Sequence, residues 1–174
     1  PSTSNQITQF CNQGYSIIGE SLIVNQTNLG NLAGLGCLCE VRQNVQVTRN
    51  SSLSRLNGLS NLQIIGGDLI VSLNSSLRNL DHLSSLSSIG GDFLIQSNSS
   101  LSSLSGLSNL TQVAGDFKVT SNSSLRSIGG LNSLESIEGN AYFSQNPSLL
   151  SINGLRNLRE VGLDLSITSN SSLR

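Results

Sequence analysis

Four aspartates, Asp68, Asp92, Asp116 and Asp164, recur at multiples of 24 residues, with Asn44 and Asn140 in the same phase. Carboxylates stacked about 5 Å apart, as in adjacent strands, repel one another. Calcium, a hard cation that takes oxygen ligands, would relieve the repulsion. The alternative chemistry is capping of a backbone N–H at each corner. Asn caps as well as Asp but ligates Ca²⁺ less strongly, and this column accepts Asn twice, so capping is the favoured reading. A second recurrent group is Asn-Ser-Ser-Leu, beginning at Asn50, Asn74, Asn98, Asn122 and Asn170, with Asn146 keeping the asparagine in the same phase. The five Asn-Ser-Ser copies are N-glycosylation sequons. They can equally form an inward amide ladder, because an amide supplies a donor and an acceptor to backbone groups left unpaired at a turn. Pro147 abolishes the sequon at Asn146, yet the asparagine persists there, which favours the ladder. Two sequons lie outside this phase, Asn25-Gln26-Thr27 and Asn109-Leu110-Thr111, and these are the better glycan candidates.

The remaining reactive side chains are few. Cys11, Cys37 and Cys39 all precede the regular repeats, and His82 is the single histidine. A disulfide stapling an N-terminal cap fits a secreted protein, and the odd count leaves one thiol over. Zinc would need a fourth ligand near the cysteines. Catalysis finds no inventory: no Cys/His pair, no phosphate loop leading into a helix, and acids that stand in a row rather than as a pair in an apolar setting. No cofactor and no metal are expected.

Composition narrows the class further. The chain has 174 residues, 11% charged and 3% aromatic, with 9 basic and 10 acidic side chains. Nucleic-acid binding calls for a basic stripe and stacking aromatics, and neither is visible. No apolar run approaches the roughly 20 residues of a transmembrane helix.

The elements that must position these groups follow from the period. A fixed repeat of this length marks a solenoid, in which no single repeat can bury its own apolar face. Between Leu53 and Asn74 the apolar residues Leu53, Leu56, Leu59, Leu62 and Ile65 are spaced by three. That spacing does not fit a long amphipathic helix; it fits short turning segments that each drop one side chain inward. Leu69 and Val71 then alternate as in a strand. Stacked coils give inward columns Val45, Leu69, Phe93, Phe117, Ala141, Leu165 and Val47, Val71, Ile95, Val119, Phe143, Ile167. Between them runs an outward column with Ile70, Leu94, Lys118 and Tyr142. The result is a parallel sheet with coils about 4.8 Å apart. Glycines before the Asp column, such as Gly67 and Gly91, are expected to supply positive φ at a corner. A second glycine column, Gly58, Gly106, Gly130 and Gly154, is interrupted by His82, expected as an exposed corner residue.

Residues 1–44 read as a lead-in, cap and degenerate first coil, and residues 45–174 as regular coils. The sequence stops in mid-repeat without a polar cap, so the solenoid is expected to continue further, or to dock on another subunit.

Leu69-x-Val71-x-x-Asn74 is similar to the L-x-L-x-x-N of leucine-rich repeats. Asn61 to Asp68 and Tyr142 to Leu149 resemble the receptor L domain of growth-factor and insulin receptor ectodomains, and of yeast cell-wall and protist surface proteins. The resemblance covers roughly residues 10–174. It implies a mainly β, right-handed parallel β-helix with a disulfide-stapled cap, extracellular and non-catalytic. It also implies a bond from Cys11 to Cys39, with Cys37 as the alternative partner. The regular Ser-rich coils are closer to the wall and surface proteins than to the hormone receptors. The leading functional expectation is therefore a structural or adhesive cell-surface or cell-wall glycoprotein, self-associating or bound to an extracellular protein or glycan. The alternatives are a protein- or carbohydrate-binding receptor-type module using the outward strand face, and an ice-binding protein using the column Thr48, Ser72, Gln96, Thr120, Ser144, Thr168.

Overall fold

The computed structural model describes residues 10–174; residues 1–9, most of the expected lead-in, lie outside the described residues. One coil shows how the sequence turns. Leu53, Leu56, Leu59, Leu62 and Ile65 each drop into the interior, and all are buried. The chain passes through a two-residue strand, Ile64–Ile65, turns at Gly66-Gly67-Asp68, and enters a four-residue strand, Leu69–Ser72. It then turns back at Leu73 and Asn74. Repetition of this path builds two parallel seven-stranded sheets, one of two-residue strands and one of four-residue strands. A third side carries short 3₁₀ turns at Ala33–Leu35, Asp81–Leu83, Ser105–Leu107, Gly129–Leu131 and Asn153–Leu155. The protein is a parallel β-solenoid.

Register follows the period. Leu69 pairs with Phe93, Phe93 with Phe117, and Phe117 with Ala141. The first step is one residue shorter: Leu22 pairs with Val45, in register with Leu69. The interior is a continuous file of Leu, Ile, Val and Phe. Phe93 and Phe117 stack with ring centroids 4.3 Å apart, and Phe143 follows at 5.6 Å. Leu165, at the end of the file, is half exposed.

The asparagines are the buried polar residues. Asn50, Asn74, Asn98, Asn122 and Asn146 are fully excluded from solvent. Each Nδ2 reaches back to a strand carbonyl of the preceding coil, as from Asn98 to the Val71 carbonyl at 2.9 Å. Each Oδ1 accepts the backbone N–H of the preceding asparagine, as Asn98 does from Asn74 at 3.1 Å. The ladder begins with Thr27, whose N–H and hydroxyl both donate to Asn50 Oδ1. Thr27 stands where an asparagine would be, hidden from the 24-residue phase by the short first step. Immediately before each member lies a residue in the left-handed region: Gln26, Arg49, Leu73, Ser97, Ser121, Gln145 and Ser169, with φ from 52° to 58°.

Three expectations are corrected. The glycines before the Asp column do not adopt positive φ. They are small because a Cβ would strike the side chain of the coil below: Asn44 for Gly67, Asp68 for Gly91, Asp92 for Gly115. In the second column a Cβ at Gly106, Gly130 or Gly154 would strike a backbone carbonyl of the preceding coil. Only Gly58 of that column has positive φ, at 105°. His82, expected as an exposed corner residue, is half-buried, with Nδ1 enclosed and unpartnered. It brings a Cβ to the packed column, and the coil beneath it, Leu56–Leu59, forms a single hydrogen-bonded turn at Gly58, closed by the Leu59 N–H on the Leu56 carbonyl at 3.1 Å, instead of a 3₁₀ turn. Finally, Cys11 bonds to Cys37, not to Cys39, with Cα atoms 5.5 Å apart. Cys39 already sits in register at the entry to Glu40–Val41; its N–H and thiol both donate to the Ser16 carbonyl.

Replacing Asn98 with Ala should leave the Asn74 N–H unpaired in the interior and remove the second of the bonds to the Val71 carbonyl, which keeps its ladder bond. At about 1–3 kcal/mol for an unsatisfied buried group, the expected loss is about 2 kcal/mol in urea unfolding. A loss under about 1 kcal/mol, within the range of an ordinary surface change, would remove the ladder from its central role.

Candidate binding face

The four-residue strands present one face to the core and the other to solvent, since successive side chains alternate. The outward column reads Ile23, Gln46, Ile70, Leu94, Lys118, Tyr142, Ser166 in unbroken register. Ile23 heads this column and is half exposed; the sequence reading began it at Gln46 because the short first step shifts the phase. Ile70, Leu94, Lys118 and Tyr142 therefore stand side by side, one per coil. Beside them lies Asn25, Thr48, Ser72, Gln96, Thr120, Ser144, Thr168. The face has an apolar end at Ile23, Ile70 and Leu94, and a polar end at Lys118 and Tyr142.

Lys118 is held rather than free. Its Nζ donates to Asp116 Oδ2 at 2.7 Å and lies 5.7 Å from the Tyr142 ring centroid, within reach of a cation–π attraction. Asp116 Oδ1 meanwhile accepts the Asn140 N–H at 2.8 Å and the Asn140 amide at 2.9 Å. The Lys118 bond and the two from Asn140 lower the Asp116 pKa to about 2. The same hydrogen bond raises that of Lys118.

The whole Asp column works across coils. The N–H of Asp68 donates to Asn44 Oδ1, that of Asp92 to Asp68, and that of Asp116 to Asp92, at 2.8–2.9 Å. Each side chain thus caps the next coil instead of its own corner. Among the described residues, no group of three or more His, Cys, Asp or Glu is placed to hold a metal ion.

The sequons separate by burial. A glycan cannot reach the buried amides of Asn50, Asn74, Asn98 or Asn122 without opening a coil; Asn170 is half-buried. Asn25 and Asn109 are exposed. Asn25 Oδ1 accepts the Thr48 hydroxyl at 3.1 Å, and Asn109 Nδ2 donates to the Ser84 carbonyl at 2.6 Å.

The receptor L domain family matches residues 87–173, half of the chain. The stacked coils are those of a solenoid of this kind, and the protein belongs to the receptor L domain family. Residues 17–86 continue the same two sheets in the same register. Neither the curated proteins nor the solved structures contain a match to the chain.

Two outcomes are expected. Because the folded pKa of Asp116 is depressed, its ion pair supports the fold above the ordinary value of 3.8 and is lost as pH falls through about 2. NMR titration should find the Asp116 carboxyl near 2, moving toward 3.8 in Lys118→Met; an unmoved midpoint would dissociate the pair. Glycopeptide mass mapping after secretion from a glycosylating host should find glycans at Asn25 and Asn109 and none at Asn74, Asn98 or Asn122. Occupancy at the buried asparagines would overturn the assignment.

Proposed function

We propose that this chain is an extracellular, non-catalytic binding module of the receptor type, and that its outward strand face docks a protein ligand. The observation that carries this reading is the face itself. The four-residue strands repeat closely on their inward side and vary along the outward, register-locked line Ile23, Gln46, Ile70, Leu94, Lys118, Tyr142, which holds the face's aromatic and its ion-paired cation. Tyr142 is of the aromatic type enriched in interface cores and hot spots, and Ile70 and Leu94 add apolar area on the same line. Because the strands are locked by their neighbours, little ordering is needed on binding. The Cys11–Cys37 bond fits an oxidising compartment. No helix among the described residues is long and apolar enough to cross a membrane.

Membership of the receptor L domain family supports the receptor-type reading over a purely structural wall role. No observation favours ice binding: the ranked hydroxyls share their face with Lys118, Tyr142 and Leu94, which stand in the neighbouring column.

The test is a binding screen against secreted proteins and glycans, repeated with Leu94→Ala, Lys118→Ala and Tyr142→Ala. A protein ligand should emerge whose affinity falls about tenfold or more in Tyr142→Ala. Ligands that bind all three variants as tightly as the parent would refute the assignment of this face.

A further inference from the structure

The third side of the solenoid holds a feature that the strand face does not use. Its turns are uniform except at Leu56–Leu59, where the 3₁₀ turn is missing and Gly58 takes φ 105°. The described side chains include two buried polar atoms without a hydrogen-bond partner, Asn57 Oδ1 and His82 Nδ1, and both belong to this irregular corner. Departures from local rules concentrate at functional sites. Beside the corner opens a pocket of about 390 Å³, lined by Gly30, Asn31, Ser54, Arg55, Asn57 and Arg78.

Arg55 and Arg78 come from adjacent coils, and both are exposed. Neither lies within ion-pair distance of a carboxylate among the described residues, where the pairs are Arg42–Glu40 and Lys118–Asp116. Residues 1–9 contain no acidic side chain. Asp81, the acid next in sequence to Arg78, accepts the Ser105 hydroxyl and does not line the pocket. Two like charges converging on one cavity favour an anion between them, and the guanidinium fork matches carboxylate and sulfate oxygens in pairs. The rest of the lining sets the ligand class. No apolar side chain is present, so nothing anchors a hydrophobic group. Asn31 Oδ1 is occupied by the Ala33 N–H at 3.0 Å, which leaves its amide hydrogens to donate.

We propose that Arg55 and Arg78 form the centre of a second binding site, for a hydroxylated sugar that carries an oxyanion. The arginines grip the carboxylate or sulfate; Asn31 and Ser54 meet the ring hydroxyls. A pocket of about 320 Å³ on the same side, near Arg156, has similar polar lining but a single arginine, and it serves as an internal control.

The full chain would be titrated by calorimetry, at physiological ionic strength, with oligogalacturonate and with a sulfated dextran oligosaccharide. Neutral dextran and a poly-glutamate peptide are the comparisons. Binding of either anionic sugar is expected, and the two arms distinguish carboxylate from sulfate. Arg55→Ala and Arg78→Ala should each weaken it about tenfold, with unchanged melting temperature, while Arg156→Ala and Tyr142→Ala bind as the parent does. Poly-glutamate bound as tightly, an equal loss in Arg156→Ala, or no binding of either sugar would overturn the proposal. Retention in Tyr142→Ala keeps this result separate from the strand-face reading.

Discussion

A buried amide closes each coil from Asn50 to Asn146. The chain must reverse direction after each four-residue strand, and it does so through a non-glycine residue in the left-handed region. Such a conformation costs about 1–2 kcal/mol at each position. It persists because the following asparagine accepts the N–H that the reversal leaves unpaired, that of the preceding asparagine, and adds second bonds to a carbonyl of the coil behind and a carbonyl of its own strand. Asn122 illustrates this, with bonds to the Ile95 and Thr120 carbonyls, both at 3.0 Å, and to the Asn98 N–H at 3.1 Å. Without these bonds the turn would strand polar backbone in the interior. The leucine files would then have no reason to stack in register. Hydrophobic burial supplies most of the driving force, but the ladder decides which coil geometry that burial selects.

The two polar columns obey different rules because they sit in different media. Inside, each amide must donate and accept at once, so neither Asp nor Ser could replace Asn; a carboxylate lacks the donors and would be a buried charge. At the corner, only an acceptor is needed, since each side chain receives one N–H from the next coil. Asp and Asn therefore alternate there without consequence: Asn44, Asp68, Asp92, Asp116, Asn140 and Asp164 all occupy the same place. Solvent at the corner screens the repulsion between neighbouring carboxylates. One of them, Asp116, also takes the Lys118 ammonium and so couples the corner to the outward face.

This difference explains which parts of the molecule were legible in the sequence. Period and inward columns were, because like residues touching like in register is what the period encodes. The inward ladder was, because Pro147 separates the asparagine from its sequon. The glycine columns were misread: conformational need and lack of space leave the same residue in the sequence, and only the neighbouring coil shows which applies. The cysteine pairing was hidden for a similar reason. Cys37 and Cys39 are two residues apart, and the choice depends on how Cys39 is drawn into the Ser16 backbone. Thr27 and Ile23 were missed because one deleted residue in the first coil moves both out of phase. Arg55 and Arg78 belong to different columns, so reading column by column keeps apart two residues that the fold brings to one pocket.

A solenoid of this kind fixes its interior so completely that variation is free to collect outside. Each coil contacts chiefly its two neighbours, so a side chain on the strand face or at the third-side turns can change without disturbing coils further away. The same property makes irregularity informative. Where the interior repeats, a departure that packing does not require has to be tolerated at some cost. The two unpartnered buried atoms, Asn57 Oδ1 and His82 Nδ1, are such a cost. The outward residues Lys118 and Tyr142 carry none, because they break no buried rule. The strand face is thus where specificity can be built at little expense to the fold, whereas the corner at Asn57 is where the fold itself yields.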